Sequence, residues 1–90
     1  MTTTPAQDHT TEHTLDVKGL LCPLPVIRTQ DQIRALQTGD LLVVLATDPG
    51  TMYDIPSWCR IHGHDLVASA RDGRLCSFTI RVQKTAGAPK

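Results

Sequence analysis

The period of the apolar residues switches back and forth between two and roughly 3.6 from Leu15 to Val82, which dictates strands alternating with helices. Leu15 and Val17 alternate with Asp16 and Lys18 before Gly19, the pattern of a half-buried strand running into a turn. From Pro23 onward, Val26, Ile27, Gln30, Ile33 and Leu36 fall near helical spacing, with Gly39 as a stop signal. Leu41–Ala46 is an unbroken apolar run between Asp40 and the turn Asp48-Pro49-Gly50, which predicts the centre of the sheet. Thr51 and Asp54 form a capping-box-like pair ahead of Ile55, Trp58, Cys59 and His62, a second helix closed by Gly63. Pro56 lacks the N–H that a helix interior needs, so this helix either begins near Asp54 or opens with a distorted turn. Leu66, Ala68 and Ala70 alternate up to the hairpin signal Asp72-Gly73, and Cys76, Phe78, Ile80 and Val82 alternate beyond it. In the order βαβαββ, two helices are too few to cover both faces of four strands. The expected fold is α/β in the α+β sense, a two-layer sandwich of a four-stranded mixed sheet with both helices on one face.

Residues 1–13 and 84–90 have little to bury and read as disordered tails around a folded domain over residues 14–83. Nine Lys plus Arg balance nine Asp plus Glu, so no basic excess draws the chain onto nucleic acid or an anionic membrane. The longest apolar run, Leu41–Ala46, is far short of the roughly 20 residues of a membrane span, and no basic-then-apolar leader pattern opens the sequence. Cytoplasmic residence is the expectation. Three cysteines without a C-x-x-C pair make a poor disulfide framework and point to a reducing compartment. A domain this small has little room for an enclosed substrate pocket. Its chemistry is expected to be shallow, one group presented to a partner.

That group is read in Gly19-Leu20-Leu21-Cys22-Pro23-Leu24-Pro25. Pro23 suits the first helical position, which makes Cys22 the N-cap. Leu24, preceding Pro25, is biased away from the helical region, so the first turn is expected to be stiff. The amides of Leu24 and Val26, with the helix dipole, would then face a sulfur anion, while Leu20 and Leu21 would desolvate it. A modestly depressed thiol pKa is the expected balance. On physical grounds alone two readings stand: Cys22 as a reactive thiol supported by Pro23, Leu24, Pro25 and Val26, or as a small apolar residue capping a helix. Cys76 shares the inward alternation of Phe78, and Cys59 reads as a buried structural thiol. Cys59, His62 and His64 lack a fourth ligand at suitable spacing, so no metal is expected. Asp48 and Asp54 read as turn and cap residues.

The string from Gly19 to Pro25, together with Asp48-Pro-Gly, Asp54-Ile-Pro, Trp58-Cys59 and Gly63-His64-Asp65-Leu66, closely resembles the TusA/SirA family of sulfur carrier proteins. The likeness spans Leu15 to about Val82, and its CPxP motif is specific. It implies a two-layer α/β sandwich, no cofactor, and sulfane sulfur carried as a persulfide on Cys22. It implies a sulfur donor, a cysteine desulfurase or rhodanese-like protein, and an acceptor, DsrE/TusD-like or heterodisulfide-reductase-like, with the carrier a monomer. The processes it implies are tRNA thiolation, cofactor assembly and cytoplasmic sulfur oxidation. In one departure, Leu21 stands where many relatives carry Arg. Persulfide transfer needs a thiolate and an open approach, which a helix start at the surface offers. The rival expectations are a thiol-based redox regulator and a plain interaction module.

Overall fold

The computed structural model describes residues 11–84. Strand β2 (Leu41–Ala46) lies inside a four-stranded sheet, parallel to β1 (Glu12–Asp16) on one side and antiparallel to β4 (Leu75–Arg81) on the other. Strand β3 (Asp65–Asp72) pairs antiparallel with β4 and forms the opposite edge, so the order is β1-β2-β4-β3. Helices α1 (Leu24–Arg34) and α2 (Thr51–His62) connect the first three strands. Leu42, Val44 and Ala46 of β2, with Cys76, Phe78 and Ile80 of β4, are buried in one cluster with Ile33, Ile55 and Cys59 of the helices. Leu41, Val43, Leu45, Ser77 and Thr79 face the uncovered side and are only half-buried. The expected mixed sheet with both helices on one face is what the chain forms.

The expected tails require correction at their inner ends. Glu12 and His13 belong to β1, paired with Leu41 and Leu42. Lys84 is tied to the fold by its N–H to Thr38 Oγ1 at 2.9 Å and by its ammonium to the carbonyl of Arg34 at 3.1 Å. The rest of both expected tails, residues 1–10 and 85–90, lies outside the described residues.

In α1 the buried positions are Pro25, Thr29 and Ile33, a stripe rotated from the expected Val26, Ile27, Gln30, Ile33 and Leu36, of which Ile33 and Leu36 are buried and Val26 and Gln30 half-buried. Ile27 is 46% exposed. Thr29 takes a core position because its hydroxyl is satisfied locally, donating to the Pro25 carbonyl at 2.8 Å, which removes most of the cost of burying it. Of the two expected openings, a start near Asp54 or an earlier one through a distorted turn, the first does not occur: helix α2 starts at Thr51 and contains Pro56 in its interior. Thr51 anchors this start: it is fully buried, and its hydroxyl donates to the Asp48 carbonyl at 2.6 Å. Gly63 ends the helix at φ 79°, a left-handed conformation that costs glycine little.

The alternation Leu66, Ala68, Ala70 does not form one strand face. A register shift between Leu66 and Ala68 makes Val67 an extra residue, so that Leu66 opposes Ile80 but Ala68 opposes Thr79. Opposed residues in an antiparallel pair share a face, and a one-residue bulge reverses every face beyond it. Ala68 and Ala70 therefore lie on the uncovered side, while Ser69 and Arg71, opposite Phe78 and Cys76, turn toward the helical side. Asp72 pairs with Leu75 across the two-residue turn Gly73-Arg74, in which Gly73 takes φ 63°, as the Asp72-Gly73 signal predicts.

Candidate functional site

Because β1 and β2 run parallel, the segments that follow them leave the sheet at the same end. The Gly19–Pro23 loop after β1 and the Thr47–Gly50 turn after β2 meet there, joined by the Gly19 N–H donating to Thr47 Oγ1 at 2.9 Å. The carboxyl ends of parallel strands are where crevices between successive connections form. Cys22 lies in this junction and is exposed, whereas Cys59 and Cys76 are buried.

Cys22 is held by two aspartates from the β2–α2 segment. Its N–H donates to Asp48 Oδ2 at 2.7 Å, and its Sγ stands 2.9 Å from Asp54 Oδ2, the thiol donating to the carboxylate. Asp48 does act as a turn residue, since its Oδ1 accepts the Gly50 N–H at 3.1 Å, and Asp54 does lie in the first turn of α2, where a negative charge suits the helix dipole. Asp48 reaches Cys22 with its second oxygen, and Asp54 with Oδ2. Reading the two aspartates only as turn and cap residues missed this, and the signal that finds them is the parallel pairing of β1 with β2.

The local geometry around Cys22 differs from the expected N-cap. Helix α1 begins at Leu24, with Pro23 as its N-cap at φ −97° and ψ 12° and Pro25 in the first turn. The Pro23 carbonyl accepts the Ile27 N–H at 3.1 Å, the first bond of the helix. Cys22 stands one residue further out, joined to Pro23 by a cis peptide bond. Its own N–H donates to Asp48 rather than to anything in the helix.

The amides expected to face the sulfur are engaged elsewhere. Leu24 N–H donates to the Leu21 carbonyl at 2.9 Å, and Val26 N–H to the Pro23 carbonyl at 3.1 Å. Of the supporting residues, Pro23 and Leu24 are exposed, Val26 is half-buried, and Pro25 is fully buried as part of the core. They shape the chain beside the sulfur and donate nothing to it.

The expected depression of the Cys22 pKa is also reversed. The Asp54 carboxylate accepting the thiol hydrogen pushes the thiol above its ordinary value; partial desolvation and the negative charges of Asp54 and Asp48 act in the same direction. A hydrogen bond donated by the neutral form and like charges beside the ionised form both favour the proton. Burial pushes the Cys59 thiol up to about 11. Both remaining cysteines are inaccessible to a partner's sulfur, Cys59 sealed in the core between α2 and the sheet and Cys76 in the core-facing row of β4.

Among the described residues no three His, Cys, Asp or Glu side chains are placed to hold a metal ion. Cys59 points into the core while His62 is exposed, and His64 Nδ1 accepts the Gln83 N–H at 3.0 Å. Burial foremost holds the His64 imidazole below its usual pKa. Its ring stacks on Trp58 with centroids 5.2 Å apart, a packing role for the histidines near the end of α2.

The family described as Sulfurtransferase TusA matches residues 13–84 of the chain. Among solved structures, a SirA-like protein from Desulfitobacterium hafniense superposes with a TM-score of 0.69 at 23% identity, the match covering 80% of this chain and 99% of that one. At that identity the likeness speaks to the fold, and it is the same fold built here from the residues upward.

Proposed function

The chain belongs to the TusA sulfurtransferase family, and on that premise we propose that Cys22 accepts sulfane sulfur as a persulfide and relays it from a donor protein to an acceptor protein. Membership brings a general sulfur-carrier role exercised with partner proteins. The observation that carries the assignment to Cys22 is its position: it is the one exposed cysteine among the three, at the junction of two connections and in contact with Asp54.

In the step, the Cys22 sulfur attacks the outer sulfur of a donor persulfide. A new S–S bond forms on Cys22 as the donor's S–S bond breaks, and the donor cysteine departs as a thiolate. The proton leaves Cys22 toward Asp54, its hydrogen-bond acceptor at 2.9 Å, and ends on the departing donor sulfur. Atoms and charge balance without an outside oxidant. Once loaded, a sulfur anion beside two carboxylates is held in unfavourable company, which favours handing it on. The donor fits a cysteine desulfurase or rhodanese-like protein and the acceptor a DsrE/TusD-like or heterodisulfide-reductase-like protein, in a cytoplasmic relay. Among the described residues no helix is long and apolar enough to cross a membrane.

A redox regulator is less well supported, because sensor thiols have low pKa values and often a resolving cysteine nearby. Here the thiol is pushed up and the other cysteines are buried. Onward transfer distinguishes the two. Protein loaded from a persulfide donor and freed of it should lose one sulfur atom on mixing with a DsrE/TusD-like acceptor, which gains it. Dithiothreitol should strip the same sulfur. A mass gain that resists dithiothreitol and never moves to the acceptor would mark oxidation of the thiol and defeat the relay reading.

A further inference from the structure

The β3–β4 turn lies at the same end of the sheet as the Cys22 loop, and between them is an open groove of about 480 Å³ walled by Leu21, Thr47, Asp48, Pro49, Arg71 and Arg74. We propose that this groove receives an acidic, extended segment of a sulfur-relay partner, whose carboxylates pair with Arg71 and Arg74 while an apolar side chain rests on Leu21 and Pro49. The proposal rests on the reading of Cys22 as the sulfur-carrying residue and adds the chemistry of the partner that meets it.

The groove adjoins the sulfur site through two of its own residues. Leu21 is the chain neighbour of Cys22, and Asp48 holds the Cys22 N–H at 2.7 Å. A segment lying here is beside the thiol without covering it.

The arginines are aimed and unpaired. The bulge at Val67 reverses the faces of β3 and turns Arg71 toward the helical side, and Arg71 lines the groove; bulges commonly re-aim a side chain in this way. Arg71 Nε donates to the Gly73 carbonyl at 3.1 Å, which fixes the guanidinium against the hairpin and leaves its two terminal nitrogens free. Those nitrogens form one edge of the fork that binds a carboxylate in two-point fashion. Among the described residues, neither Arg71 nor Arg74 has a carboxylate within 4.0 Å.

The remaining wall selects a protein segment over a nucleic acid strand. Leu21 is 70% exposed and Pro49 is exposed as well, an apolar patch with no sugar-phosphate counterpart. Asp48 lies in the wall and Asp54 contacts the adjoining Cys22, and the chain as a whole carries no net charge. A continuous row of phosphates would meet these carboxylates, whereas separate side-chain carboxylates can be placed on the arginines alone.

The test is a titration of the full chain, followed by its backbone amide resonances, with an N-acetylated acidic pentapeptide carrying a central leucine. Shifts should centre on Gly19, Leu21, Thr47, Arg71 and Arg74 and weaken as salt rises. Arg71→Glu with Arg74→Glu should weaken the peptide by roughly tenfold or more, and the milder Arg71→Gln with Arg74→Gln pair should act in the same direction. Absence of shifts, shifts centred instead on Arg60 and Arg81, or a single-stranded oligonucleotide moving the groove resonances at lower concentration than the peptide would each overturn the proposal. Loading from inorganic polysulfide needs no docking and should be equal in wild type and variants. Should wild-type Cys22 take no sulfur from polysulfide, the carrier reading fails, while the peptide titration still decides the groove.

Discussion

Replacing Asp54 with asparagine is expected to lower the pH midpoint for alkylation of Cys22 and to speed alkylation at neutral pH. The Asp54 carboxylate accepts the thiol hydrogen at 2.9 Å and contributes most to holding the thiol above its ordinary pKa. Only the thiolate reacts, so a raised pKa leaves less reactive sulfur at pH 7 than an unstructured cysteine would have. Asparagine keeps the size and an acceptor oxygen but removes the negative charge, and its NH₂ can donate to the thiolate. Both changes favour ionisation. Asp48→Asn should act in the same direction but less, because Asp48 touches the backbone N–H of Cys22 and reaches the sulfur only through its charge. A midpoint that stays in place or rises in Asp54→Asn would show that the contact does not hold the proton. If the midpoint falls, activation of the carrier becomes the task of a partner, whose basic group near Asp48 and Asp54 would offset the charges that keep Cys22 neutral.

Cys22→Ser should remove sulfur loading altogether, since an alcohol cannot form a persulfide, while leaving the fold in place. The site is exposed, and a serine hydroxyl can donate to Asp54 as the thiol does. Cys59→Ala and Cys76→Ala should still load. Their cost falls on stability, on the order of 1 kcal/mol each for a small side chain removed from a packed core, because both are about 1% exposed. Thermal unfolding together with loading, measured on all three variants, separates these effects. A folded Cys22→Ser protein that loads like wild type would remove Cys22 from the mechanism.

The parts of this structure that depend on residues near in sequence were legible in it. The apolar run Leu41–Ala46 is an internal strand, the Asp72-Gly73 pair marks the hairpin, and Cys59, Cys76 and Phe78 are core residues. What escaped depends on contacts between distant segments. The Asp54 contact to Cys22 joins residues 32 apart in sequence, and nothing in either local pattern records it. It follows from the parallel pairing of β1 with β2, which brings the two connections together. The sign of the Cys22 pKa shift went the same way: a helix start alone favours the thiolate, but the carboxylate that sits on the thiol comes from the other helix. Helix α1 starts one residue further along than its local pattern predicts, with Pro23 rather than Cys22 at the N-cap. The faces of β3 reversed at Val67 because a bulge adds a residue without leaving a mark in the alternation of small side chains.

The most direct measurement of the central claim is a peptide map of wild-type protein after incubation with a persulfide donor. Cleavage after Lys18 and Arg28 isolates Cys22 in the peptide Gly19–Arg28, apart from the peptides that hold Cys59 and Cys76. With thiols and persulfides capped by an alkylating reagent before digestion, the Gly19–Arg28 peptide alone should gain one sulfur atom, and dithiothreitol given before capping should abolish the gain. Sulfur appearing on the Cys59 or Cys76 peptide instead, or no gain on Gly19–Arg28 under conditions where the donor turns over, would contradict the assignment of Cys22 as the sulfur-carrying residue.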